Sequence, residues 1–209
     1  MKENNAQSLG ITSRQSRSNQ IRLIAGTAML SAVSFLLAFL EVPVPFSPPF
    51  ARFDFADLPA LIGAFAYGPI WGVAVELVKN LLRLTTTATG GIGELANFTI
   101  GSALVFPAGL IYMTNKSRKT AMIGCCVGSV ASGVAAAVMN YFVLLPMFEI
   151  FMPLEEVIAA FAESIPFIHT KLDVVLYNAL PMNILRAALI SFVTMLIYKQ
   201  LSPILKGRR

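Results

Sequence analysis

The chain has 209 residues, is 56% hydrophobic and only 13% charged, and carries a formal net charge of +5. Soluble domains carry charge on roughly a quarter of their residues, whereas several apolar runs here reach the roughly 20 residues a helix needs to cross the hydrocarbon core. These features exclude a water-soluble globular domain and predict an all-α membrane protein of six transmembrane helices.

Residues 1 to 20, "MKENNAQSLGITSRQSRSNQ", are polar and predict a disordered cytoplasmic tail. The apolar segment behind them is too long for a signal-peptide core and lacks a small-residue cleavage site. Residues 21 to 209 are read as one transmembrane domain. The first span, 21 to 41, ends at the proline-rich "VPVPFSPPF", which cannot continue a helix. A second, short span starts at Asp57 with Pro59 in its first turn and ends at Tyr67, Gly68 and Pro69. The third, 70 to 84, carries Glu76, Lys79, Asn80 and Arg83 and runs into "TTTATGGIG". The fourth, near 93 to 114, begins with Glu94 and Asn97. The fifth, near 120 to 146, closes with "MNYFVLLP". Residues 148 to 178 form an acidic connector, partly helical along "LEEVIAAFAES", and the sixth span runs from Leu180 to Leu201. The adjacent Cys125 and Cys126 lack metal-site or disulfide spacing and read as small packing or lipid-facing residues.

Arg14, Arg17 and Arg22 precede the first span, Lys116, Arg118 and Lys119 separate the fourth and fifth, and Lys199, Lys206, Arg208 and Arg209 follow the sixth. The positive-inside rule places all three sets, and hence both termini, in the cytoplasm. The connectors at 42 to 56, 85 to 92 and 148 to 178 then lie outside.

Ionisable residues inside membrane spans are functional candidates, because the bilayer core offers neither water nor counter-ions. Glu76, Lys79, Asn80 and Arg83 share one helix face and can partly neutralise one another. Asn140 and Tyr141 close the fifth span; Asn183 and Arg186 open the sixth. These ends can converge on an outward-facing pocket, where the amides beside Phe46, Phe53, Tyr141 and Phe142 suit a planar heteroaromatic ring. No phosphate-binding loop, nucleophile elbow or zinc-protease motif occurs, and His169 stands alone. No metal, cofactor or nucleic acid is expected, and a small intramembrane enzyme using Glu76, Glu94 and Lys79 is the alternative class.

The blocks "FDFADLPALIGAFAYGPIWGVAVELVKNLL", "ANFTIG", "MNYFVLLP" and "LPMNILRAALIS", in this order, resemble the riboflavin-binding S components of energy-coupling factor (ECF) vitamin transporters. The resemblance implies a multi-pass protein of the prokaryotic plasma membrane. It implies capture of riboflavin from outside and assembly with a transmembrane coupling subunit, EcfT, and two cytoplasmic ATPases. It also implies toppling in the membrane to release the cargo. By the same resemblance Asn140, Asn183 and Arg186 contact the flavin; Lys79, Asn80, Asn97, Phe46 and Tyr141 are the further substrate-binding candidates, read from the polar and aromatic residues of the spans and the first outer loop. In the family that loop covers the site. Arg186 stands where the family has lysine, and its planar fork also suits a phosphate, so FMN or another vitamin is the alternative ligand. Ala28 and Ala32 match a small-residue patch that contacts the coupling subunit in the family; packing within the bundle is the other reading.

Overall fold

Apolar helices dominate the structure, a computed structural model that describes residues 2–43, 52–87, 89–150 and 153–206. Helix α1 runs Lys2–Leu37, so the stretch expected to be a disordered tail is, from Lys2 onward, continuous with the first span. That stretch has no proline, and its polar residues each cost a helix only about 0.7 kcal/mol or less. Helix nucleated in the apolar half can therefore propagate backward through it.

After α1 the chain forms a short antiparallel pair, β1 (Val42–Pro43) and β2 (Arg52–Phe53), with Val42 opposite Phe53. Helices α2 (Asp57–Tyr67) and α3 (Pro69–Arg83) follow, of 11 and 15 residues. At 1.5 Å per residue they extend only about 17 and 23 Å, short of a core of about 30 Å. Gly68 joins them at φ 115°, a backbone conformation closed to most side chains, and Pro69 occupies the first turn of α3. The two short helices thereby fold onto each other. Gly72 lets them meet closely, since a Cβ there would strike the side chains of Val105 and Ala64 and the Ala60 carbonyl.

Among the described residues four helical stretches are long and apolar enough to cross a membrane: Asn19–Leu37, Ile92–Thr114 (α4), Arg118–Phe148 and Lys171–Tyr198. Arg118–Phe148 joins α5 (Arg118–Met139) to α6 (Leu145–Phe148) through a π-turn at Asn140–Leu144. The last stretch likewise joins α8 (Lys171–Val174) to α9 (Leu180–Lys206) through a π-turn at Val175–Ala179. A proline explains each widened turn. Pro146 and Pro181 have no N–H to donate, and each ring crowds the carbonyl four residues back, at Phe142 or Tyr177, inside the π-turn. The last long helix therefore begins at Lys171 rather than Leu180, and the connector before it is shorter than the sequence predicts. Its helical piece, α7 (Leu154–Ala162), forms where expected.

The main core lies between α2, α3, α4, α5 and α9, around Leu61, Phe65, Val75, Leu104, Val105 and Ile190. The connector has a small core of its own, with Val157, Phe161 and Ile168 packed on Leu145, Val174 and Val175. Helix α5 reaches α4 through Gly124 and Gly128, where added Cβ atoms would strike the carbonyl oxygens of Ala108 and Leu104. We expect Gly128→Ala to push the helices apart and cost about 1 to 3 kcal/mol. Its apparent unfolding temperature in lipid nanodiscs should fall, while that of Val130→Ala, on the exposed face of the same helix, should hardly move. Cys125 is buried and Cys126 exposed, matching the packing and lipid-facing roles read from sequence.

Candidate functional site

A cavity of about 600 Å³ lies among the β1–β2 pair, the end of α3, the start of α4 and the start of α9. Its size falls within the usual range for small-molecule pockets, roughly 300 to 1,000 Å³. Phe39 and Phe53 supply aromatic surface, and Met182, Leu185 and Leu189 of α9 supply aliphatic surface. The polar lining is Glu41, Arg52, Asp54, Arg83, Thr86, Thr89, Glu94, Asn97, Asn183 and Arg186.

The charged part of this lining, Glu94 excepted, belongs to a longer series. Arg52 approaches Glu41 at 3.8 Å, and Glu41 meets Arg83 at 3.5 Å. Arg83 reaches Asp54 at 3.4 Å, and Asp54 holds Arg186 at 3.0 Å. Arg186 also reaches Asp57 at 3.1 Å; Asp57 meets Lys79 at 2.8 Å, and Lys79 meets Glu76 at 2.5 Å. Among the described residues these contacts form one ladder of strictly alternating sign, four acids and four bases. It runs from an exposed end, with Arg52 at 56% side-chain exposure, to a sealed one, with Lys79 and Glu76 at 0%. The alternation gives every buried charge an opposite neighbour, which a low-dielectric interior demands.

Local structure sets each rung. Asp54 leaves β2 and accepts the Ala56 N–H at 3.0 Å, turning the chain into α2. The hydroxyl of Ser34 donates to the Ala56 carbonyl and ties the turn to α1. Arg83, in the last turn of α3, also donates to the Ala38 carbonyl at 3.0 Å, which fixes the exit of α1. Lys79 and Glu76 share a face of α3. Glu76 packs against Gly101 of α4, where no larger residue would fit beside the carboxylate. Neither Glu76 oxygen accepts a directed hydrogen bond among the described residues, so its contact with Lys79 is electrostatic.

Arg186 is anchored on two of its three nitrogens. Nε donates to the Asp54 carbonyl at 3.2 Å, and Nη2 donates to the Asp54 carboxylate and pairs with Asp57. Nη1 has no protein partner among the described residues. Beside it, Asn183 donates its amide to the Ala179 carbonyl one turn back at 2.8 Å, leaving the side-chain oxygen as an acceptor. Glu94 accepts from the hydroxyls of Thr87 and Thr89 at 2.8 and 3.2 Å through a single oxygen, Oε2. It does not act as a helix cap; Gly91 precedes α4 without a side-chain cap.

Of the residues expected at the site, Asn97, Asn183 and Arg186 come together on the cavity wall. Phe46 lies outside the described residues. Lys79 and Asn80 are buried and do not line the cavity; Asn80 donates to the Glu76 carbonyl at 2.8 Å. That face of α3 packs into the bundle, which buries both side chains away from the cavity. Asn140 and Tyr141 do not line the cavity either. Asn140 donates to the Ala136 carbonyl at 2.8 Å, and the Tyr141 ring stacks edge-on with Phe142 and carries the Lys171 ammonium 4.8 Å above it. Phe142 is exposed. Sequence reasoning missed Asp54, Glu41 and Arg52, and assigned Asp57 only to a helix start. One signal was available: two acids three residues apart at the entry of an apolar helix demand cations from elsewhere in the fold.

A bundle of apolar helices long enough to cross a membrane that holds a charge-balanced cavity at one end defines a membrane-embedded small-molecule binding protein. Of Glu76, Glu94 and Lys79, the residues of an enzymatic reading, only Glu94 lines that cavity. Residues 22–198 match the family "ECF transporter, substrate-specific component", and the chain belongs to this family of transporter subunits, which are not enzymes. It is 32% identical over 194 residues to riboflavin transporter RibU of Staphylococcus aureus (strain TCH60), covering 92% of this chain and 97% of that one. Riboflavin transporter FmnP of Bacillus subtilis (strain 168) is 28% identical over 193 residues, covering 91% and 97%. A solved S component of a bacterial ECF transporter superposes with a TM-score of 0.70 at 32% identity, over 90% of this chain and 99% of that one.

Proposed function

We propose that this chain is the substrate-binding subunit of an ECF transporter for riboflavin uptake, with the cavity around Arg186 as the flavin site. The tethered guanidinium carries this reading: with Nε and Nη2 held by protein, Nη1 is a pre-oriented donor for a flavin carbonyl. The Asn183 oxygen can accept from a ring N–H, Phe39 and Phe53 offer aromatic faces, and Glu94 can accept from a sugar-alcohol hydroxyl. Riboflavin suits the lining better than FMN. Each guanidinium on the wall already has a carboxylate partner, and a phosphate would have to displace one.

Six membrane segments with both termini in the cytoplasm fit the lysine and arginine distribution, with α2 and α3 as the two short segments. Partners in this reading are EcfT and two ECF ATPases, in the prokaryotic plasma membrane. Ala28 and Ala32 lie on the exposed face of α1, opposite its buried Thr27, Leu30, Ser31 and Ser34. They are therefore available to a partner helix.

Protein purified from cells grown with riboflavin should carry a yellow ligand of riboflavin's mass and absorbance. Recovery of a different compound would overturn the substrate assignment. Asn183→Ala should weaken riboflavin binding by about 1 to 3 kcal/mol, measured by quenching of flavin fluorescence.

A further inference from the structure

We propose that Asp57, which does not touch the cavity, is a positioning residue that aims Arg186 at the ligand, with buried Lys79 as its counterweight. The inference rests on the reading that Arg186 contacts the flavin.

Asp57 is 1% exposed, and its two carboxylate oxygens face opposite ways along the ladder. Oδ1 takes Lys79 at 2.8 Å and Oδ2 takes Arg186 at 3.1 Å. Asp54, from the cavity side, takes the same Nη2 of Arg186 at 3.0 Å and Nε at 3.2 Å. Asp54 and Asp57 thus share Nη2 and Asp54 also takes Nε, which leaves Nη1, without a protein partner among the described residues, as the nitrogen available to the cavity that Arg186 lines. With Asp54 alone the guanidinium keeps two bonds, both to one residue of the turn between β2 and α2; Asp57 adds a third contact from the first turn of α2 and so ties Nη2 to a helix. Lys79 matters for the opposite reason. Without a cation on Oδ1, Asp57 would be left to Arg186 alone and would draw it away from the cavity wall. Asp57 is held between the two because it sits at the first turn of α2, anchored by its backbone, while Lys79 and Arg186 arrive from α3 and α9.

Charge alternation also supplies a clean test. Removing Asp57 and Arg186 together takes out one adjacent pair and leaves two balanced pieces: Lys79 with Glu76, and Arg52, Glu41, Arg83 and Asp54. The double variant therefore strands no buried charge, and each single variant keeps an opposite charge beside every remaining member.

The experiment measures riboflavin dissociation constants for the full chain in lipid nanodiscs, with apparent unfolding temperature without ligand as the folding control. The set is wild type, Asp57→Asn, Arg186→Met and the double variant. Loss of the Arg186 contact should weaken binding about thirtyfold and loss of its aim about tenfold, the scale of one to two buried polar contacts. The double variant should bind within about twofold of Arg186→Met, because a residue that acts only through Arg186 has nothing left to act on. Multiplicative losses in the double variant, or wild-type affinity in Asp57→Asn, would overturn the proposal. Where Asp57→Asn does not fold, Asp57→Glu serves in the same cycle. It keeps the charge but lengthens the arm, and its loss of affinity should likewise vanish beside Arg186→Met. Wild-type protein that fails to bind riboflavin would overturn the functional reading itself and this inference with it; wild-type binding with multiplicative losses removes only the role of Asp57.

Discussion

Lys79→Met should be the most damaging single substitution in the chain, with a loss of about 3 to 5 kcal/mol, the usual consequence of breaking a buried ion pair from one side. Among the described residues the ammonium is the one cation paired with Glu76 and one of two paired with Asp57, and all three side chains are sealed from solvent. Its removal leaves Glu76 against Gly101 with no opposite charge among the described residues. The measurement is the apparent unfolding temperature of ligand-free protein in nanodiscs, together with the yield of monodisperse protein. Lys79→Met combined with Glu76→Gln should recover most of the loss, because it removes the terminal pair of the ladder and leaves six alternating charges. A double variant no more stable than the single one would show that Lys79 serves packing alone.

Arg186→Ala has the second largest expected effect, and it acts on two observables at once. Loss of the guanidinium removes a partner from both Asp54 and Asp57, although Arg83 and Lys79 remain as their other partners. Ligand-free stability should therefore fall by only about 1 to 3 kcal/mol, less than for Lys79→Met. Riboflavin affinity should fall by about 2 kcal/mol or more, since the anchored donor disappears and a void opens beside Leu189 and Asn183. Arg186→Lys should separate the two observables. An ammonium restores charge between the carboxylates, but one nitrogen on a flexible stem cannot bridge the Asp54 carbonyl, the Asp54 carboxylate and Asp57 while still presenting a donor to the cavity. Stability should return further toward wild type than affinity does, as read from unfolding temperature and flavin quenching on the same preparations.

The membrane class, the order of the apolar segments and the convergence of Asn183 and Arg186 on a cavity were legible in the sequence. They depend on hydropathy and helical spacing, which are local. The direction of the α3 charges was not. Glu76, Lys79 and Arg83 share a face by spacing, but whether that face meets a ligand, lipid or another helix is decided by α2, α4 and α9. Asp54 and Arg186 are 132 positions apart, and nothing local to either announces the other. The joining of Lys171–Val174 to the last helix was hidden for a related reason: Pro181 reads as a helix start, and only a π-turn upstream lets the helix pass through it. Asn140 and Asn183 make the same amide bond to the carbonyl one turn back, and what separates them is that Asn183 lies on the cavity wall, a difference of position in the fold that neither residue type nor spacing announces.

The gradient of exposure along the ladder gives its two ends different responses to the medium. Dissolved ions screen charges over about 8 Å at physiological strength, and they reach Arg52 and Glu41, at 56% and 36% exposure, but not Lys79 and Glu76. Salt thus loosens the outermost rung, where the β1–β2 pair meets the cavity, and leaves the innermost rungs intact. The mouth of the site is tuned by the ionic strength of the medium it opens to, while the wall that aims Arg186 is insulated from it.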